Sequence, residues 1–307
     1  MGKIDLNIDW VSEVKIFLAN NDFKKFQELS NNSIAIRLSN YFRKGGMDFN
    51  WEIMISKDFF EKHCLDNNEK MAIYDILNAL KTGKGAYEYL SLNSKNFSKD
   101  KIDFLFNRWE ISHFHLDKSK NTLKNKRSEK LLFIYFDYNK KSAKVIGIYD
   151  HKKWFANDVF IEFINLYPEV ISNNSIGKKV IKIVGPDLYK SKANFYLAQI
   201  IYDDGTSLVK VNNAVVSTGD AEWDVRIVDR YFECLGNLSN RLNRILENYD
   251  KIIFKNTVIS KDSDIHLKMS SELKMNLIDK TNNNYIIFRE YADAIMLRDI
   301  LRKFKEV

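Results

Sequence analysis

Glycine and proline are scarce: 11 and two in 307 residues. That scarcity excludes collagen-like and linker-dominated chains. Neither GxxxxGKS nor GxGxxG occurs, which excludes the common glycine-rich phosphate loops. The two cysteines, Cys64 and Cys234, flank no CxxC, so neither a disulfide framework nor a zinc knuckle fits. A reducing cytoplasm is the expected setting. No apolar run is long enough to span a bilayer, and the opening MGKIDLNIDWVSEVKIFL lacks a signal-peptide core. Leu6 stands where a myristoylation signal needs Ser or Thr. A soluble protein with no membrane partner is expected.

Hydrophobic residues make up 45% and aromatic residues 13%, enough for a packed core, and the length admits two domains. Net charge is +7, which suits an anionic partner such as nucleic acid and equally suits a lysine-rich surface without one.

The period of the apolar residues predicts an α+β fold: N-terminal helices, a central antiparallel sheet, and a second α/β unit at the C-terminus. Trp10, Val14, Phe17 and Leu18 recur at helical spacing, and WEIMIS (51–56) is a short extended segment. A helical pattern follows Ser56, breaks near 66–68 and resumes through Leu80. LLFIYFDY (131–138) and AKVIGIYDH (143–151) read as a hairpin joined by a polar turn, and a helix starting near Asn157 closes at Pro168. The boundary is expected at ISNNSIGKK (171–179), giving domains 1–170 and 171–307. Beyond it come three strands with a DDG turn (203–205), a long helix opening at STGD (217–220), a strand over 251–260, a short extended segment at 284–288, and a terminal amphipathic helix.

The chemistry centres on ISHFHLDK (111–118). Strand alternation places His113 and His115 on one face. His151 is a third of only five histidines, and it would join them if its strand paired nearby. Imidazoles can accept and donate protons near neutrality. The segment 117–130 carries five lysines and one arginine against two acids. Lys118, Lys120, Lys124, Lys126 and Arg127 could therefore bind phosphate and stabilise charge in its transition state. Tyr138 and Trp154 lie at element ends, where a base could stack. The bland alternatives are a half-buried strand pair and a solvated basic connector.

A metal reading starts from HxHxD at His113, His115 and Asp117, with His151 and His266 completing a shell, but Lys118 opposes a dication there. A thiol at Cys64 beside His63, a phosphate site at the helix start near Ser217 and Gly219, and a carboxylate nuclease site using Asp203, Asp204 and Lys210 are weaker readings. No metal and no cofactor are expected.

DFLFNRWEISHFHL, RSEKLLF, YDHKKW and YPE together resemble a bacterial family marked by a Trp-Gly-Ile-His-His-Leu-His-Leu block, Arg-Thr-x-x-Leu-Leu-Phe, Asp-His-x-x-Trp and Asn-Trp-Pro. The likeness covers roughly residues 80–170, with an echo at NNAVVSTGD. Glu110 stands where that family has Gly, Ser112 where a further His occurs, and Tyr167 where Trp occurs. Helices followed by a small antiparallel sheet bearing His, Arg and Tyr are also similar to toxin ribonucleases of the RelE and barnase type.

That analogy implies a metal-independent endoribonuclease in a toxin or phage-defence system, acting on RNA rather than DNA and held by an antitoxin or regulatory protein. His113, His115, His151 and Arg127 would be catalytic; the lysines of the basic segment, Tyr138 and Trp154 would bind substrate. A non-catalytic nucleic-acid or protein-binding module and a metal-dependent hydrolase are the competing classes.

Overall fold

The computed structural model describes residues 4–46, 49–98, 103–117, 129–150, 156–172, 175–184, 197–211, 220–248, 251–254, 257–260, 262–269, 275–281 and 284–286. The elements begin with α1 (Leu6–Asn20), α2 (Asn31–Lys44), β1 (Glu52–Met54), α3 (Phe59–Lys62), α4 (Asn67–Lys81) and α5 (Phe104–Trp109). Then follow β2 (Ile111–His115), β3 (Lys130–Asp137), β4 (Ser142–Asp150), α6 (Ala156–Leu166), β5 (Val180–Val184), β6 (Leu197–Tyr202) and β7 (Ser207–Val211). The last are α7 (Glu222–Asn248), β8 (Lys251–Phe254), β9 (Thr257–Ser260), β10 (Ile265–Met269), β11 (Met275–Asp279) and β12 (Asn284–Ile286). The fold is α+β. Among the described residues no helix is long and apolar enough to cross a membrane.

The chain divides into two compact units, and the division does not fall at 171–179. One unit comprises Met1–Ser39, Asn96–Ser98 and Asp224–Val307; the other comprises Asn40–Lys95 and Lys99–Trp223. The reason is long-range pairing that periodicity does not reveal. In the first unit α7 lies beside α1: the Ser239 hydroxyl accepts from the Leu6 amide (3.0 Å), Asn243 Oδ1 accepts from the Ile4 amide (3.0 Å), and Trp10 meets Tyr231 edge-on at 5.5 Å. Buried Asp224 on α7 accepts from the Ser39 hydroxyl (2.8 Å). The segment 251–260, expected as one strand, is a hairpin of β8 and β9, and β10–β11–β12 form a separate antiparallel sheet. The expected C-terminal helix lies outside the described residues, as do Ser217 and Gly219.

The second unit is built on a four-stranded sheet in the order β1-β4-β3-β2. It is antiparallel except at one edge, where β1 runs parallel to β4. The β3–β4 turn forms as its polar sequence predicts, with Asp137 Oδ1 accepting from the Asn139 and Lys140 amides at 3.1 and 3.0 Å. Asp66 and Glu69 cap α4 reciprocally, so the helical pattern breaks over residues 63–66, slightly ahead of the expected 66–68. One face of β3 and β2 (Leu131, Phe133, Ile111) packs with Val159, Phe160 and Phe163 of α6, and the same cluster takes in Val180, Ile183 and Ile200 from the β5-β6-β7 sheet. The other face packs Phe136 against Trp51 (4.8 Å) and Phe114 (6.4 Å). Each fully buried aromatic contributes about 1.5–3 kcal/mol.

The step from α5 into β2 turns on Glu110, whose backbone is left-handed (φ 56). Glycine adopts that conformation without cost, whereas other residues pay about 1–2 kcal/mol. Glu110 is held there by its carboxylate, which meets the Arg43 guanidinium at 2.9 Å; Arg43 is 2% exposed. Removing one member of a buried ion pair costs about 3–5 kcal/mol, more than the backbone relief returns. Glu110→Gly should therefore lower stability, by about 2 kcal/mol, in a urea titration. A gain in stability would mean that the ion pair contributes less than the left-handed strain.

Candidate functional site

The sheet topology decides which of the sequence-predicted residues meet. Because β2 and β4 are each antiparallel to β3, they are parallel to one another and finish at the same end of the sheet. His115, Leu131 and Tyr149 lie in one row across the three strands, and His113, Phe133 and Gly147 in the next. The strand carrying His113 and His115 therefore does end beside the strand leading to His151, but β3 lies between them. Two strand spacings, about 10 Å, separate the backbones in such a row. His151 lies outside the described residues, together with Lys118, Lys120, Lys124, Lys126, Arg127 and Trp154.

The two strand histidines differ. His115 is 3% exposed, so it cannot touch a substrate in this arrangement, and a direct acid–base part for it is not supported. His113 is half-buried. Its ring lies 5.8 Å from that of Phe133, and its Nδ1 is 3.9 Å from Asp103 Oδ2. Asp103 accepts from the Phe106 amide at the start of α5 (3.2 Å) and meets Lys44 Nζ at 3.1 Å. Burial alone would raise the Asp103 carboxyl, but Lys44, His113 and the Phe106 amide outweigh it and leave it below the ordinary carboxylate range.

A second group of titratable side chains stands on the β4 side of the same sheet end. The Tyr149 hydroxyl donates to Glu162 of α6. Lys130, the first residue of β3, donates to Glu69 Oε2 (2.9 Å) and to the Cys64 carbonyl (2.5 Å), and His63 adjoins Cys64. His63, Lys130, Tyr149 and Glu162 are all half-buried. Burial lowers the His63 imidazole, with the Glu162 charge opposing and the Lys62 and Lys130 charges reinforcing. Burial, reinforced by the bond to Glu162, pushes the Tyr149 hydroxyl well above its ordinary value. Sequence reasoning missed Glu162 and Lys130 because ordinary charged residues on an amphipathic helix and at a strand start give no signal of their partners.

Other candidates are accounted for locally. Tyr138 closes the β3–β4 turn, donating to the Arg43 carbonyl (2.8 Å) and lying 5.1 Å from its guanidinium. An eight-residue strand separates it from Lys130, so Tyr138 is about 25 Å along β3 from the histidine end and does not belong to that site. Asp204 shapes the 203–205 turn, accepting from the Thr206 amide (2.9 Å) and pairing with Lys178 (2.9 Å). Asp203 accepts from the Lys179 amide at 3.2 Å, so neither carboxylate is held for a nuclease centre. Cys64 is an exposed thiol just beyond α3. His266 sits between Asp9 (3.1 Å) and Asp264 (2.8 Å) in its own unit. Among the described residues no group of three or more His, Cys, Asp and Glu side chains could hold a metal ion.

The chain matches no protein-family model, and no curated protein or solved structure is significantly similar to it.

The lowered Asp103 carboxyl ties stability to pH. A group whose folded value is depressed contributes stability at pH above its unfolded value, and that contribution is lost as pH falls through the folded value. Between pH 7 and pH 3 the urea midpoint of the wild type should therefore fall more than that of Asp103→Asn, which should already be less stable at pH 7. Parallel declines would show that the Lys44 and His113 pairing leaves no mark on folding.

Proposed function

We propose that the chain is a metal-independent endoribonuclease, of the kind that serves as a toxin or phage-defence effector and is restrained by an antitoxin or regulatory protein. The observation that carries this reading is the shared sheet end. β2 and β4 finish there together, and imidazole, carboxylate and ammonium groups collect beside them: His113, Asp103 and Lys44 on one side, and His63, Glu162, Tyr149 and Lys130 on the other. Cleavage of RNA by its own 2′-hydroxyl needs a proton acceptor, a proton donor and cations for the charge that builds on phosphorus, and it needs no metal. By sequence, β2 and β3 are joined by the segment bearing Lys118, Lys120, Lys124, Lys126 and Arg127, which would hold the phosphate backbone.

The burial of His115 favours a second reading, a nucleic-acid or protein-binding module without catalysis, because it removes one of the groups expected to move protons.

Single-stranded RNA incubated with the purified protein in EDTA should be cut to fragments ending in 2′,3′-cyclic phosphate and 5′-hydroxyl. Replacing Lys120, Lys124 and Lys126 by Ala should weaken RNA binding and reduce the slope of log K against log salt by about 0.7 for each phosphate no longer neutralised. Tight binding without nicks would favour the binding module. RNA that stays intact until a divalent metal is supplied would overturn the metal-independent assignment.

A further inference from the structure

The half-buried group on the β4 side holds what a proton-transfer site needs, and it does so without His113, His115 or His151. Beyond its three-residue pairing with β4, β1 leads into α3, and His63 follows α3 with its ring 5.0 Å from that of Phe59. Lys130 reaches the same place from β3, since its ammonium binds the carbonyl of Cys64. Tyr149 and Glu162 come from β4 and α6. Gly147 leaves room for them: a Cβ there would stand 3.2 Å from Tyr149 Cε2 and 3.3 Å from Glu162 Oε2. Four elements thus bring the Glu162 carboxylate, one imidazole, one phenol and the Lys130 ammonium together, with Glu69 of α4 paired to that ammonium at 2.9 Å, and none of them is sealed from solvent.

We propose that Glu162 and His63 are the base and the acid of the RNA-cleaving site, with Lys130 as the cation beside the phosphate and Tyr149 as the residue that positions Glu162. This rests on the ribonuclease reading and names the side chains that perform it. Glu162 takes the proton of the 2′-hydroxyl, and the 2′-oxygen forms a bond to phosphorus. The bond from phosphorus to the 5′-oxygen breaks, and that oxygen takes a proton from the His63 imidazolium. The products are a 2′,3′-cyclic phosphate and a 5′-hydroxyl; Glu162 is left protonated and His63 neutral, and exchange with water resets both. No oxidant, metal or further reactant enters. Burial lowers the His63 imidazole and the Glu162 charge only partly opposes that shift, so the imidazolium that acts as the acid is most abundant on the acid side of neutrality.

The test uses the full chain and a short single-stranded oligoribonucleotide in EDTA. Glu162→Gln and His63→Gln should each lower kcat/KM by about 10²-fold or more, with thermal midpoints near the wild type. Tyr149→Phe removes the hydroxyl that holds the Glu162 carboxylate, so kcat should fall while KM stays near the wild type. A merely structural tyrosine would leave kcat in place. In Glu162→Gln the imidazole pKa of His63, followed by NMR, should fall. The pair is overturned if Glu162→Gln and His63→Gln, both folded, cleave like the wild type while His113→Ala does not, or if the His63 titration ignores Glu162→Gln. A wild type that leaves every RNA intact while Glu162→Gln still shifts His63 overturns the ribonuclease reading, and with it the assigned reaction, but not the coupling of the two side chains.

Discussion

Everything at the candidate site follows from the position of β3. It is paired on both edges, by β2 and by β4, and Leu131, Leu132, Phe133, Ile134 and Phe136 along it are all at most 1% exposed. A strand buried on both faces must be apolar throughout, which is why LLFIYF carries no polar alternation. Its two partners are forced to run the same way, so their ends coincide at one rim of the sheet. The same strand then keeps them apart. Leu131 occupies the row position between His115 and Tyr149, and His115 is buried while Tyr149 is half-buried.

Around this core, several buried charged groups are held in ion pairs. Lys144 on β4 is 2% exposed; its ammonium meets Glu169 at 2.9 Å and lies 4.8 Å from the Tyr167 ring. Burial would raise the Glu169 carboxyl, yet its bond to Lys144 holds it below the ordinary range. Arg43 and Lys44, in the last turn of α2, meet Glu110 and Asp103 at the two ends of α5. An uncompensated charge in such places would cost several kcal/mol. These pairs explain why so basic a chain still folds around buried ammonium and guanidinium groups.

Local patterns were legible in the sequence. The break at Asp66, the strand at WEIMIS, the β3–β4 hairpin and the stop at Pro168 each depend on neighbours a few residues away, and each lies within a few residues of where the sequence predicts it. Three features were hidden because they depend on partners far along the chain. Helix α7 pairs with α1, so the units are not contiguous in sequence. β1 adds a parallel edge to the sheet. His63, Lys130 and Glu162 come together across about 100 residues. The alternation of ISHFHL placed His113 and His115 on one face, but alternation cannot say which side chain of a face reaches the rim. Glu110 is instructive in another way: a left-handed residue ahead of β2 is a site for glycine, and the ion pair to Arg43 explains how a glutamate occupies it.

The reach of solvent to each histidine is the point on which the functional account turns. Carbethoxylation of the native protein, read residue by residue by mass spectrometry, measures it directly. His63 and His113, both half-buried, should be modified in the folded protein, and His115 only when the protein unfolds. Modification of His115 at the rate of His63 in the folded chain would contradict the packing described for β2 and return the strand histidines to the centre of the site.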